Sequence, residues 1–389
     1  MPNPPQVSGA AEARNLRLIG HSDLNGHGDG MQLMLKDRYL FVGHVLGQIG
    51  TTILDVSNPQ EPRVVQQLKI PPHTHTHKVQ IAGDILIINY EKYPPKGKEN
   101  MPKQAGIQIL DISDPPEPRE IGFFSTGGKG VHRVWYTGGR YAYMSATPDG
   151  YSDRIMMIVD ISDPAHPQEV SRWWMPGMWT AGGEQPSWPA HLRVGAHHPV
   201  VWQNRAYWGF WDMGVIIMDI SDPAKPQEVS RLGWAPEDGG HTHTAMPLPQ
   251  RNLLVVTDEA TEPECQEVRK RVRLLDISDE TRPRLIAKFL EPQGDFCQRG
   301  LRFGPHNVHE NRPGSFISDQ IIFVTYFNAG LRVYDIKNAE SPEEVASYIP
   351  QTPAGQQAVQ TNDVFVAENG LIYISDRVSG GVDILELNL

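Results

Sequence analysis

The nine residues Val159-Asp160-Ile161-Ser162-Asp163-Pro164-Ala165-His166-Pro167 read as the end of a strand running into a tight turn. Residues 155–159 before them are apolar and β-branched, as a buried strand requires. Asp160 and Asp163 can each bond their own downstream backbone, and Pro164 presets the turn. Glu169-Val170-Ser171-Arg172 then reads as a short second strand. The pattern recurs at Leu54-Asp55-Val56-Ser57-Asn58-Pro59, Leu110-Asp111-Ile112-Ser113-Asp114-Pro115 and Met218-Asp219-Ile220-Ser221-Asp222-Pro223. Weaker copies stand at Leu275-Asp276-Ile277-Ser278-Asp279, Tyr334-Asp335-Ile336-Lys337-Asn338 and Val382-Asp383-Ile384. Successive aspartates are 48–59 residues apart. Seven copies at a period near ~50 mark the blades of a β-propeller.

Each copy is preceded by a strand–turn–strand pattern, as in 78–89, 133–145, 199–211 and 363–375. That makes four strands per unit. The last unit stops after its third strand, and residues 16–20 resemble 229–233, so the N-terminus is expected to supply the missing strand. Closing the ring in this way removes an exposed sheet edge. The expected fold is all-β, a seven-bladed propeller forming one domain over 14–389, behind a flexible segment 1–13. The repeat resembles that of the LVIVD-repeat β-propellers over nearly the whole chain. The resemblance implies the fold and leaves the function open, because propellers host enzymes, binding proteins and scaffolds alike.

Composition removes several classes. The 36 glycines and 33 prolines exceed the usual share but fall short of the ~25–30% typical of low-complexity chains. No apolar run approaches the ~18–20 residues of a membrane helix. A net charge of −11 with no basic stripe argues against nucleic acid. Residues 1–14 lack the pattern of a signal peptide, so a cytoplasmic location is expected. Cys265 and Cys297 allow at most one bridge and lack the spacing of a zinc knuckle. No phosphate loop, His-Glu-x-x-His helix or nucleophile elbow is present.

The 15 histidines are the chemical signal. Aligning the units on their inner strands puts His77, His132, His198, His243 and His306 at one position, the start of the strand that lines the central channel. Asn362 takes that place in the seventh unit. Five imidazoles converging on one axis are a candidate centre for a divalent transition metal, whether iron, zinc, manganese or copper. One ion at ~2.0–2.2 Å uses three or four of them. His75 and His241 lie two residues earlier and are expected on the same face, one layer along, as catalytic groups. Glu259 ends the second strand of the fifth unit and is the leading acid/base candidate. Two long insertions, 173–196 and 292–305, enter inner strands at the same mouth. They carry Trp179, Arg193, Arg299 and Arg302, suited to an aromatic ring and a carboxylate or phenolate.

In outline this is similar to carotenoid-cleavage oxygenases, which hold iron with four His on the axis of a seven-bladed propeller. It is similar also to selenium-binding protein/methanethiol oxidase, a propeller with functional His and a proposed copper. These resemblances of architecture imply a redox metal. The expected function is a metal-dependent enzyme, with oxygenase-like or lyase chemistry on a small, aromatic molecule. A non-catalytic interaction propeller and a metal-independent His acid/base lyase or isomerase are the alternatives. Neither a membrane nor a nucleic acid is expected as a partner.

Overall fold

The repeat aspartate works as a turn former. Oδ1 of Asp55, Asp111, Asp160, Asp219, Asp276 and Asp335 each accepts from the backbone N–H two residues on, at 2.6–2.9 Å. The second Asp or Asn of the motif repeats the device three residues later, as Asp163 does with the N–H of Ala165 at 3.1 Å. Two nested turns of this kind end each third strand and swing the chain into the fourth.

The computed structural model describes residues 12–45, 47–93 and 104–388. Among them no α-helix forms, and no helix is long and apolar enough to cross a membrane. The strands form five four-stranded antiparallel sheets and one nine-stranded sheet. The larger sheet is two meanders joined where Gly130 bridges Glu91. The strands therefore group into seven successive units of a propeller. Six inner strands are Gly30–Lys36, Val79–Ala82, Gly130–Trp135, Pro199–Trp202, Thr242–Leu248 and Thr361–Val366. In unit six the inner segment pairs through a single bridge, Val308 to Val324.

One contact type links the units into a ring. A residue near the end of each second strand meets the backbone at the start of the next inner strand. Asn89 donates to Val131 O at 2.8 Å, Ser145 to His197 O at 2.7 Å and Thr257 to His306 O at 2.7 Å. Thr325 donates to Asn362 O at 3.0 Å, and Ser375 donates to Met31 O at 2.6 Å. Gly43 and Gly209 occupy the same place in units one and four. A Cβ there would lie 2.7 Å from His77 O and 2.3 Å from His243 O. The series runs from each unit to the next and from the seventh back to the first. Between neighbouring sheets the apolar sides of the strands bury the core, for example Ile87, Ile107, Met144, Ile158 and Trp208.

The N-terminal strand Leu16–Ser22 pairs with Val382–Leu387 and closes unit seven. Its register corrects the sequence alignment. Arg17 pairs with Glu386 at 2.6 Å, just as Arg119 pairs with Asp111. Glu386 is therefore the seventh copy of the repeat acid. Asp383 lies three residues earlier and is occupied by His21 Nδ1 at 2.7 Å and Tyr348 OH at 3.0 Å. The Val-Asp-Ile triplet imitates the motif, but strand pairing sets the position. Order also begins earlier than expected. Glu12–Arg14 already pairs with Glu343–Ile349, covering the outer edge of unit six. The rest of the segment expected to be flexible, 1–11, lies outside the described residues. Cys265 and Cys297 form a disulfide.

Candidate metal and substrate site

The inner strands of units three, five and seven open with a register shift, at Val131/Arg133, Thr242/Thr244 and Thr361/Asp363. One residue of each strand is left unpaired, and a bulge of this kind turns two consecutive side chains to the same side. The bulged residues are His132, His243 and Asn362. His77, His197 and His306 hold the matching places in units two, four and six. Their imidazoles form an arc with centroid separations of 4.8 Å for His77–His132, 4.9 Å for His132–His197, 4.2 Å for His197–His243 and 4.4 Å for His243–His306. His75 extends the arc, 5.6 Å from His77, and stacks on Tyr93.

These histidines line a cavity of about 210 Å³ at one mouth of the channel. It is smaller than the ~300–1,000 Å³ of drug-sized sites. Burial is the largest influence on each of the five arc imidazoles from His77 to His306 and pushes them well below their usual value. They are neutral, which is the ligating form. Two carboxylates stand among them. Glu91 Oε2 lies 2.7 Å from His132 Nδ1, and its Oε1 lies 3.6 Å from Lys129 and 3.8 Å from Arg154. Burial would raise Glu259, but the positive charges of Arg302 and Arg377 hold it at about 2. The ligand atoms of His75, His77 and Glu91 lie within 4.8 Å of one another, and so do those of His197, His243 and Glu259.

The residue after each bulge forms a second, deeper layer that includes Lys78, Arg133, His198, Asn307 and Asp363, all buried. Arg133 donates to His243 Nε2 at 2.9 Å and to Asn307 Oδ1 at 2.7 Å. Asp363 is pushed up to about 6 by burial. Arg312 closes the channel further on, bonding Gln80, Ile81 O and Tyr136 O. A larger cavity of about 530 Å³ opens at the hairpin-turn end, lined by Asp37, Gly83 and Pro313 among others, with no histidine.

The structure brings together His75, His77, His132, His243, His306, Glu259, Arg193 and Arg302 of the residues expected at the site. Four others fall elsewhere. His198 belongs to the deeper layer, with Nε2 2.8 Å from Glu310 Oε1, and His197 takes its place in the arc. Unit four begins its strand with Pro199, but the pairing places the bulge one residue before His198. His197 N donates to Gly209 O at 2.8 Å, and Gly209 N donates to His198 O. His241 is screened from the cavity by Trp211, on which its ring stacks. Its backbone instead steadies Glu259, whose N–H it accepts at 2.9 Å. Trp179 is exposed and packs edge-on against Trp174. Arg299 pairs with Asp295 and Glu12 away from the cavity. Arg193 reaches the cavity already paired with Asp153 at 2.7 Å.

Sequence reasoning missed Lys78, Arg133, Arg154, Trp211 and Arg377 as lining residues. The pairs His132-Arg133 and His77-Lys78 carried a signal only to a reader who expected a bulge. With strict alternation the second member of each pair faces away.

Model matching finds LVIVD repeats at residues 27–69, 103–126, 132–173 and 200–232. The weaker copies of units five to seven lie beyond these matches. No curated protein matches the sequence as a relative. Among solved structures the chain is similar to a hypothetical selenium-binding protein from Sulfolobus tokodaii, at 14% identity and TM-score 0.55, covering 90% of each chain. It is similar also to a protein from Lactobacillus plantarum, at 12% identity and TM-score 0.54, covering 92% of this chain and 94% of that one. Saccharomyces cerevisiae Sqt1 gives 8% identity and TM-score 0.54, covering 90% and 81%. Likeness at these identities concerns the propeller fold alone.

Proposed function

We propose that this LVIVD-repeat propeller is a metal-dependent enzyme acting on a small molecule, with a divalent transition ion held by His75, His77 and Glu91. One observation carries the reading. His77 Nδ1 is buried without a hydrogen-bond partner, inside a set whose ligand atoms lie within 4.8 Å of one another. A buried polar atom left without a partner calls for a ligand or an ion. Two histidines and one carboxylate leave open positions on the metal, the pattern of non-haem iron oxygenases, and zinc, manganese or copper accept the same donors. The ion supplies Lewis-acid polarisation or binding of a second reactant.

The protein's own residues supply the rest. His132 Nδ1 bonds Glu91 Oε2 and so fixes the carboxylate's direction. His132 Nε2 lies 3.1 Å from His197 Nε2, so the arc can hold a proton between Glu91 and His197. Glu259 is held ionised beside Arg302 and Arg377, which leaves it a weak base and a fixed partner for those arginines. The set formed by His197, His243 and Glu259 is less available to an ion, because Arg133 already donates to His243 Nε2. The His132–His197 pair, with Nε2 atoms 3.1 Å apart, carries a second reading, metal-independent acid/base catalysis by histidine.

Elemental analysis separates the two. The purified protein should contain about one transition ion per chain, and the His75→Ala/His77→Ala variant should lose it. Protein that takes up no iron, zinc, manganese or copper, and whose activity survives a chelator, would exclude the metal reading. The disulfide favours an oxidising compartment over the cytoplasmic location expected from sequence.

A further inference from the structure

In the cavity that His75, His77 and Glu91 also line, Arg302 and Arg377 share one partner. Arg302 Nη1 is 3.1 Å from Glu259 Oε1, and Arg377 Nη1 is 3.8 Å from the same oxygen. His306 Nε2 is 3.7 Å from that oxygen as well. Both guanidinium groups lie 5.7 Å over the ring of Phe327. Arg377 Nη1 is buried and has no hydrogen-bond acceptor among the described residues. Of the other lining cations, Arg193 has Asp153, Lys129 and Arg154 face Glu91, and Lys78 and Arg133 lie in the deeper layer. Among the lining residues, lysines and arginines outnumber carboxylates seven to two, in a chain whose net charge is −11. Positive charge concentrated in a low-dielectric pocket of an acidic protein attracts an anion.

We propose that Arg302 and Arg377 receive the carboxylate of the substrate, so that the enzyme acts on small organic acids. A planar two-oxygen acceptor matches the guanidinium fork and completes the bonding that Glu259 alone leaves open. The substrate is thereby anchored in the cavity that His75, His77 and Glu91 also line. The proposal deepens the function proposed above, and rests on it only for turnover, since binding of the carboxylate needs the arginines and not the ion.

The test is calorimetric titration with benzoate, acetate and the neutral isostere benzamide. It uses chelator-treated and zinc-loaded protein, with Arg302→Gln and Arg377→Gln alongside, each checked for native sheet content by circular dichroism. Benzoate or acetate should bind the chelator-treated protein. Benzamide should bind about tenfold or more weakly than benzoate, and each folded variant should lose about tenfold in carboxylate affinity, as expected for a charge-assisted bond. Carboxylate selectivity in protein that takes up none of iron, zinc, manganese or copper would sustain the clamp and refute the metal reading. Equal binding of benzoate and benzamide, no binding of either carboxylate, or unchanged affinity in both variants would overturn the clamp.

Discussion

His77, His132, His197, His243 and His306 stay neutral because burial disfavours their charged forms. In the unfolded chain the same residues titrate near ~6.5. Below that pH the unfolded state binds more protons than the native state, so stability falls as pH drops. His75, held at about 4, adds to the effect down to that pH. Glu259, depressed to about 2, adds a further loss below its ordinary value. Asp363, raised to about 6, works in the other direction between its unfolded and folded values, as do Asp258 and His21, which are also raised, but these three oppose a larger number of lowered imidazoles. The chelator-treated protein should therefore show a lower urea midpoint at pH 5 than at pH 7.5. An unchanged or higher midpoint at pH 5 would mean that the imidazoles are protonated in the native state. The convergence of histidines was legible residue by residue. The choice between His197 and His198 was not, because adjacent residues differ only in where the strand is bulged.

At the level of the strand, the bulge and the contact across to the next unit act together. Gly209 faces His243 O, and an added Cβ would sit 2.3 Å away from that oxygen. Gly209→Ala must push back the start of the fifth inner strand, with a cost of ~1–3 kcal/mol for overpacking. Because His243 moves with it, the variant should also bind benzoate more weakly, which separates it from a purely local loss. Ser145→Ala removes only the bond to His197 O, and should cost about 1 kcal/mol in urea denaturation. Strand existence and turn chemistry were readable from Asp-x-Ser-Asp-Pro, since each turn is satisfied within a few residues. The seventh repeat was misplaced because Asp383 matched the motif locally, while Glu386 carries the pairing with Arg17.

Across the whole molecule, closure depends on the N-terminus. Leu16–Ser22 is the fourth strand of unit seven, and Glu12–Arg14 covers unit six beside it. Deleting residues 1–22 would leave the edge of Val382–Leu387 unpaired, a template for pairing between chains. The truncated protein should aggregate or elute as higher-order species in size-exclusion chromatography, and a monomeric, equally heat-resistant product would count against closure by this strand. The Cys265–Cys297 bridge spans a separation of 32 residues. Reducing it should lower stability by about 4 kcal/mol on the loop-entropy scale, seen as a lower Tm in dithiothreitol. Double Cys265→Ser/Cys297→Ser protein should reproduce the reduced Tm.

The amino-acid sequence alone determined the repeat, the all-β propeller, ring closure by residues near the N-terminus and the gathering of histidines at one mouth. Each follows from short-range chemistry: turn residues bonding their own backbone, apolar periodicity, and copies of one motif occupying equivalent places. Tertiary structure alone decided that His197 replaces His198 in the arc, that Trp179 and Arg299 stand away from it, and that Arg377 joins Arg302 over Phe327. Those outcomes depend on strand register and on contacts between residues far apart in the chain. A one-residue bulge changes which side chains enter the channel without changing the sequence pattern that encodes the strand.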